Sequence, residues 1–421
     1  MTCASAWLAL STKTKAMKIR PRSLVIAVAV LLDTLTTASA ETVKVGIIAP
    51  FSGPTASFGT AWKQAIDVYQ KQHGDSVGGN KIEIVMRDLP GPDPLKAKAL
   101  AQELVVKEGV QYLAGLAYSP NALALGAFAS QAHVPIVILN AAASGIIDKS
   151  PYFLRVSYTL PQVSAPEALY AARAGYKSIV TMVSDYAPGW DAEKAFTDTF
   201  EKAGGKIVGK IRMPLAATDF GPYLQRARAM GPDAILGFLP GGGPTFGFLT
   251  AYNNSGLSAA NVTYLGQGET SELYINDYGD VVKGLITTMF YSADHRSKEN
   301  DAFKKAFHDL YPEAVISNLT VCGYDGIHLI YKMIEATGGK KDADAAIAAA
   351  KGLSWESPRG PVRIDPETRD WVQNVYVRRV EVDAAGKFYN REFQVFPMQP
   401  DYGRSSVPVP SLESVQPKLL P

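Results

Sequence analysis

The chain has 421 residues, with 42 Lys or Arg against 40 Asp or Glu and a formal charge of +2. This near-balance excludes the clustered basic face that a nucleic-acid partner requires, and the length suits two domains rather than one. Two cysteines, Cys3 and Cys322, are too few for a disulfide framework.

Lys18, Arg20 and Arg22 precede an apolar run over 24–32, and Ala38-Ser39-Ala40 follows. Basic, apolar and small residues in that order form an export signal. Nine apolar residues fall short of the roughly 20 that span a bilayer. Residues 1–40 are therefore expected to be removed between Ala40 and Glu41, with Met1 or Met17 as the start. Without them 381 residues remain, with 37 basic and 39 acidic side chains and a formal charge of −2, so the positive excess belongs to the signal. Cys3 leaves with that segment and no thiol follows for a lipid anchor. An exported protein, free in its compartment and not inserted in the membrane, is expected. Cys322 reads as a small buried hydrophobe.

From residue 41 short β-branched runs alternate with helical ones. A strand over 43–49 ends in the turn-rich loop PFSGPTASFG, and a helix over 60–73 follows. Next come a strand over 81–87, a helix over 95–108, a strand over 112–115, a helix over 121–132 and a strand over 135–139. The rhythm restarts with a helix over 162–174, a strand over 178–183, a helix over 192–203 and a strand over 206–212. A helix over 223–230, a strand over 234–238, a helix over 245–255 and a strand over 263–265 complete this second half. Two such runs predict an α/β protein with two doubly wound parallel sheets, whose strand-end loops carry ligands. Helices over 303–309, 324–336 and 343–351 and strands over 375–381 and 393–397 suit a chain that crosses back between halves. Four prolines over 407–421 predict a mobile tail.

No Walker loop, HExxH, CxxC or GxSxG spacing is present. The glycine cluster GFLPGGGPTFG over 237–247 lacks the third glycine of a dinucleotide fingerprint and reads as a tight turn. Histidines 73, 133, 295, 308 and 328 have no ligand-like spacing. These absences only count against an enzyme, and no catalytic residues, no metal and no cofactor are expected. A hydrolase or oxidoreductase on the same sheets is the competing class.

The strand-loop APFSGP, Asp93-Pro94 after the second strand, V-x-Y-x-x-G over 110–115, RGPVRID over 359–365 and VQNVYVRRV over 372–380 resemble the leucine/isoleucine/valine-binding protein family. The resemblance covers about residues 41–400. It implies a type I periplasmic binding protein fold, with two lobes joined by three crossovers and closing on a small ligand by hinge motion. It places 41–159 with 289–352 in the N-terminal lobe and 160–288 with 353–400 in the C-terminal lobe, leaving 401–421 as tail. It implies the membrane permease of an ABC importer as partner to a monomeric carrier. A sensor that reports ligand to a membrane receptor would use the same lobes.

The resemblance also names a site. Phe58 takes the place of the family's aromatic over the cleft. Tyr118 and Ser119 stand at a helix start that suits an anionic group, with helix capping as the other role for Ser119. Asn140, Ala141 and Ala142 follow the fourth strand, but Ala142 replaces the hydroxyl-bearing threonine of the amino-acid binders. In the second half Tyr186 and Trp190 are the aromatic candidates. Pro240, beside Gly241, replaces the expected tyrosine. The glutamate that pairs an α-ammonium aligns with Gly268, or with Glu269 after a shift of one. An unpaired buried ammonium costs several kcal/mol. The aromatic and neutral composition, Gln267 included, favours an aromatic or short aliphatic carboxylate; branched-chain or other amino-acid binding through Glu269 is the alternative.

Overall fold

The computed structural model describes residues 41–420, and the expected export signal lies outside the described residues. The β-branched run TVKVGIIA forms β1 (Thr42–Ala49), buried on both faces as parallel strands are. Helix α1 (Ala56–His73) turns Trp62, Ala65, Ile66 and Tyr69 inward at helical spacing. The two-residue β2 (Ser76–Val77) pairs antiparallel with β3 (Asn80–Asp88). Asp93 then caps α2 (Pro94–Gln102), its carboxylate accepting the Lys96 N–H at 2.9 Å. Strand β4 (Tyr112–Gly115), helices α3 (Ser119–Ala124) and α4 (Gly126–Ala132), and strands β5 (Ile136–Ile138) and β6 (Phe153–Arg155) complete the first lobe's opening run. The strand order is β2-β3-β1-β4-β5-β6, all parallel except β2.

The second lobe opens with α5 (Leu160–Arg173), β7 (Ser178–Ser184), α6 (Ala187–Lys202), β8 (Lys206–Met213), α7 (Gly221–Ala229) and β9 (Ala234–Phe238). It continues with α8 (Gly243–Asn254), β10 (Thr263–Gly266), the single turn α9 (Ile275–Tyr278) and β11 (Ile286–Met289). Helices α10 (Lys298–Leu310), α11 (Asn318–Thr337) and α12 (Ala343–Ala350) return to the first lobe. There α11 packs on α1, where a Cβ at Gly323 would stand 3.0 Å from the Trp62 Cα; glycine sets that close approach. The chain then crosses once more. Strands β12 (Ser354–Ser357), β13 (Gly360–Ile364), β14 (Trp371–Val382), β15 (Phe388–Gln399) and β16 (Lys418–Leu419) join the second sheet. Its order is β12-β13-β14-β11-β10-β9-β7-β8, parallel from β8 to β11 and antiparallel beyond, with β15 on β14. Two α/β lobes joined by three crossovers result.

Several expectations needed correction. The helix expected over 95–108 ends at Gln102 and continues as a wide π turn over Glu103–Lys107. The helix expected over 121–132 breaks in two beside Gly126, where a Cβ would stand 2.5 Å from that of Lys149. The tail over 401–420 is not a loose extension. Arg173 donates to the Leu412 and Val415 carbonyls at 2.7 and 2.8 Å, Lys202 donates to Val409, and β16 pairs with β15. The prolines deny this strap regular structure, but side chains from α5 and α6 satisfy its carbonyls. Cys322 is buried, and desolvation pushes its thiol up to about 11.

Two ion pairs sit at the crossovers. Arg155, at the end of β6, reaches Asp370 beside β14 at 2.9 Å; Arg359 reaches Asp325 of α11 at 2.7 Å, and all four are buried. The Arg155 Nε approach lies off the N–H direction, so it is a charge contact rather than a directed hydrogen bond. Directed bonds run from Arg155 to the Tyr158 and Ala143 carbonyls at 3.0 and 2.8 Å.

Candidate functional site

Both sheets end in loops at their carboxyl edges, and these loops line a cleft that is partly open to solvent. The first lobe supplies the loops after β1, β4 and β5 and the start of α11. The second supplies those after β7, β9 and β10. Tyr158 and Leu160 come from the first crossover and Met289 from the second.

The expected residues divide. Phe58, Tyr118, Ser119, Asn140 and Ala142 line the first wall, and Tyr186, Pro240, Gly241 and Gly268 line the second. Tyr118 donates to Thr55 Oγ1 at 3.2 Å, and Asn140 donates to the Ala117 carbonyl at 2.8 Å. Ser119 does not cap α3, whose first flanking residue is Tyr118. Its Oγ accepts the Ala143 N–H at 3.1 Å, tying the β4 loop to the β5 loop, and its own hydrogen is available to a ligand. Tyr186 stacks on Phe238 with ring centres 6.1 Å apart.

Four expected residues do not line the cleft. Ala141 points into the core behind β5, because alternation along an extended loop turns neighbours to opposite sides. Trp190 lies 45% exposed on α6, its Nε1 donating to Asp185 at 2.7 Å and its ring 5.7 Å from the Arg212 guanidinium. Replacing Trp190 by alanine is expected to leave ligand affinity within about twofold, since the ring is held by surface partners; a titration of both proteins checks this. Glu269 is fully buried, and its two oxygens accept the N–H groups of Leu239 at 3.0 Å and Gln267 at 2.5 Å. It clamps two cleft loops from behind instead of facing the ligand. Gln267 likewise turns inward, donating to Glu167 at 2.6 Å.

Tyr158, Phe238, Ser271, Tyr274, Met289 and Asn318 line the cleft and were missed. Tyr158 and Met289 stand on crossovers, and Asn318 opens a helix from a distant part of the chain, so no local spacing joins them to the β-loops. Two hydrogen bonds bridge the walls. Ser57 Oγ lies 2.8 Å from Tyr274 Oη, and Ser271 donates to Asn318 Oδ1 at 3.1 Å.

Among the described residues, no side chain lining the cleft is Asp, Glu, Lys, Arg or His. Burial raises the phenols of Tyr158 and Tyr186, which keeps both neutral. Burial also pushes the Glu269 carboxyl up to about 7, against the pull of its backbone N–H partners. The cleft can therefore hold a ring between aromatic walls and satisfy an anionic end with hydroxyl and amide donors. It offers no carboxylate to an ammonium.

A family model described as periplasmic binding protein matches residues 42–387. The Leu/Ile/Val-binding protein homolog 6 of Brucella abortus (strain 2308) is 48% identical over 379 residues, covering 90% of this chain and 97% of its own. A solute-binding protein of an ABC transporter from Rhodopseudomonas palustris HaA2, solved in complex with p-hydroxybenzoic acid, has a TM-score of 0.85 at 48% identity, covering 87% of this chain and 100% of its own. One from Rhodopseudomonas palustris BisB5, solved in complex with 3,4-dihydroxy benzoic acid, has a TM-score of 0.81 at 43% identity, covering 86% of this chain and 99% of its own. The sequence resemblance, the two crossed lobes and these relatives agree: the chain belongs to the periplasmic binding protein family of solute-binding transport proteins.

Proposed function

We propose that this protein binds an aromatic carboxylate between its lobes in the periplasm and delivers it, as a monomer and without transforming it, to the permease of an ABC importer. One observation carries the reading. The cleft is walled by aromatic rings and neutral donors, and Glu269, the carboxylate expected to meet an α-ammonium, is turned behind the loops and engaged by two backbone N–H groups. The hydroxybenzoic acids held by the two similar structures belong to the class that such a cleft suits. Burying an ammonium there without a counter-charge costs several kcal/mol, which outweighs what the aromatic contacts return.

The carboxylate belongs at the first wall, where Ser119 has a free hydroxyl hydrogen and Asn140 and Ala142 stand beside it. Replacing Ser119 by alanine is expected to weaken a benzoate-type ligand by about 1–3 kcal/mol. Calorimetric titration reads that change, and unchanged affinity would confine Ser119 to joining its two loops. A thermal-shift screen tests the whole reading: benzoate-type acids are expected to raise the melting temperature and leucine or valine to leave it unchanged. Stabilisation by amino acids alone would overturn the proposal.

A further inference from the structure

Among the groups facing the cleft, two phenols stand apart. Tyr118 spends its hydroxyl hydrogen on Thr55, and the Tyr274 hydroxyl is joined to Ser57. The hydroxyls of Tyr158 and Tyr186 have no hydrogen-bond partner among the described residues, although Tyr158 is only 7% exposed and both side chains line the cleft. Both hydroxyls open onto the cleft, so a ligand that excludes water there must supply their partners or leave them unpaired at a cost comparable to a lost hydrogen bond. Both rings are fixed from behind. Tyr158 packs on Phe290 with centres 5.2 Å apart, its carbonyl held by Arg155, and Tyr186 stacks on Phe238. The Tyr186 phenol is near enough to feel the charge of Tyr158, and both feel Glu269.

That arrangement narrows what can sit between them. A second carboxylate would be placed close to Glu269, a group negatively charged over the alkaline side of neutrality, and would be repelled. A methyl or bare ring edge would leave both phenols unsatisfied. A neutral hydroxyl meets both requirements, because it accepts from one phenol and donates to the other.

We propose that Tyr158 and Tyr186 form a second polar subsite that receives a hydroxyl on the ligand's ring, opposite its carboxylate, so that the cleft selects a hydroxylated benzoate over benzoate itself. This rests on the aromatic-carboxylate reading above. Carboxylate binding at Ser119 supplies anchoring, and the phenol pair supplies discrimination. A site built to hydrogen-bond a hydroxyl rejects the analogue that lacks it more strongly than an apolar pocket rejects a missing methylene, because its own polar groups are left unpaired.

The test is a calorimetric titration of the wild-type chain, Tyr158→Phe and Tyr186→Phe with 4-hydroxybenzoate and with benzoate. Wild type is expected to prefer 4-hydroxybenzoate by about tenfold or more. Each Phe variant, which keeps the ring and its packing, is expected to lose most of that preference while its benzoate affinity stays within about threefold. Melting temperatures of the unliganded variants confirm that both fold. Equal wild-type affinity for the two acids would overturn the subsite and leave aromatic-carboxylate binding intact. Parallel loss of both ligands in the variants would also overturn it, by making the phenols packing groups. Binding of neither acid would overturn the functional reading along with the subsite.

Discussion

Replacing Arg155 by alanine is expected to cost about 3–5 kcal/mol of stability, the range for breaking a buried ion pair by removing one partner. Arg155 is fully buried, and its loss would strand Asp370, which is itself buried and whose other cationic neighbour, Arg404, stands at 3.5 Å. Burial already pushes the Asp370 carboxyl up to about 6 despite Arg155, so without the arginine Asp370 would take up a proton instead of remaining charged. The guanidinium also holds the Ala143 and Tyr158 carbonyls, one behind each of two cleft-lining segments. Weaker ligand binding should therefore accompany the loss of stability. Denaturant unfolding at neutral pH measures the first effect and titration the second. A loss below about 1 kcal/mol would mean that the crossover packs well without the pair.

Glu269 supplies the second large effect, through pH. Its carboxyl titrates at about 7 when folded and near 4.5 when unfolded. A raised acid binds its proton more tightly in the folded state, so its favourable contribution is present below about pH 4.5 and is lost as pH rises through 7. Over that window the group should account for about 3 kcal/mol of declining stability. Burial also raises the carboxyls of Glu167, Glu272 and Asp370, so the wild-type curve by itself does not report Glu269 alone. The difference between the wild-type and Glu269→Gln stability curves isolates one group. It is expected to slope between pH 5 and 8, with the variant the flatter curve. Glutamine keeps one acceptor for the Leu239 and Gln267 N–H groups and forfeits the other, so at pH 5 the variant should be the less stable protein. Parallel curves would mean that Glu269 does not change its charge across this range.

Much of the fold was legible because its elements carry strong periodic signals. The run TVKVGIIA allows only a buried strand, and Trp62, Ala65, Ile66 and Tyr69 allow only a helix with one inward face. Strands β6 and β11 and the β12–β13 hairpin flank the crossovers, where the alternation of strand and helix breaks, and were missed there. At the site, residues following β1, β4, β5 and β9 could be named because doubly wound sheets place ligands at strand ends. Which way each side chain faces was not written there. Ala141 and Ala142 are neighbours, yet only the second meets the cleft. Glu269 sits next to Gly268, but its direction is decided by two backbone N–H groups contributed by separate loops. Tyr158 was invisible for another reason: its place depends on a crossover whose path is set by Arg155 and Asp370, residues 215 positions apart.

The absence of an ammonium partner is the centre of the account, and paired calorimetric titrations of one protein sample with 4-hydroxybenzoate and with leucine test it most directly. The account predicts saturable binding of 4-hydroxybenzoate at about micromolar dissociation constant or tighter, near −8 kcal/mol, and no heat of binding from leucine. Tight leucine binding with no heat from the acid would contradict it, and would return Glu269 to the cleft as the partner of an ammonium.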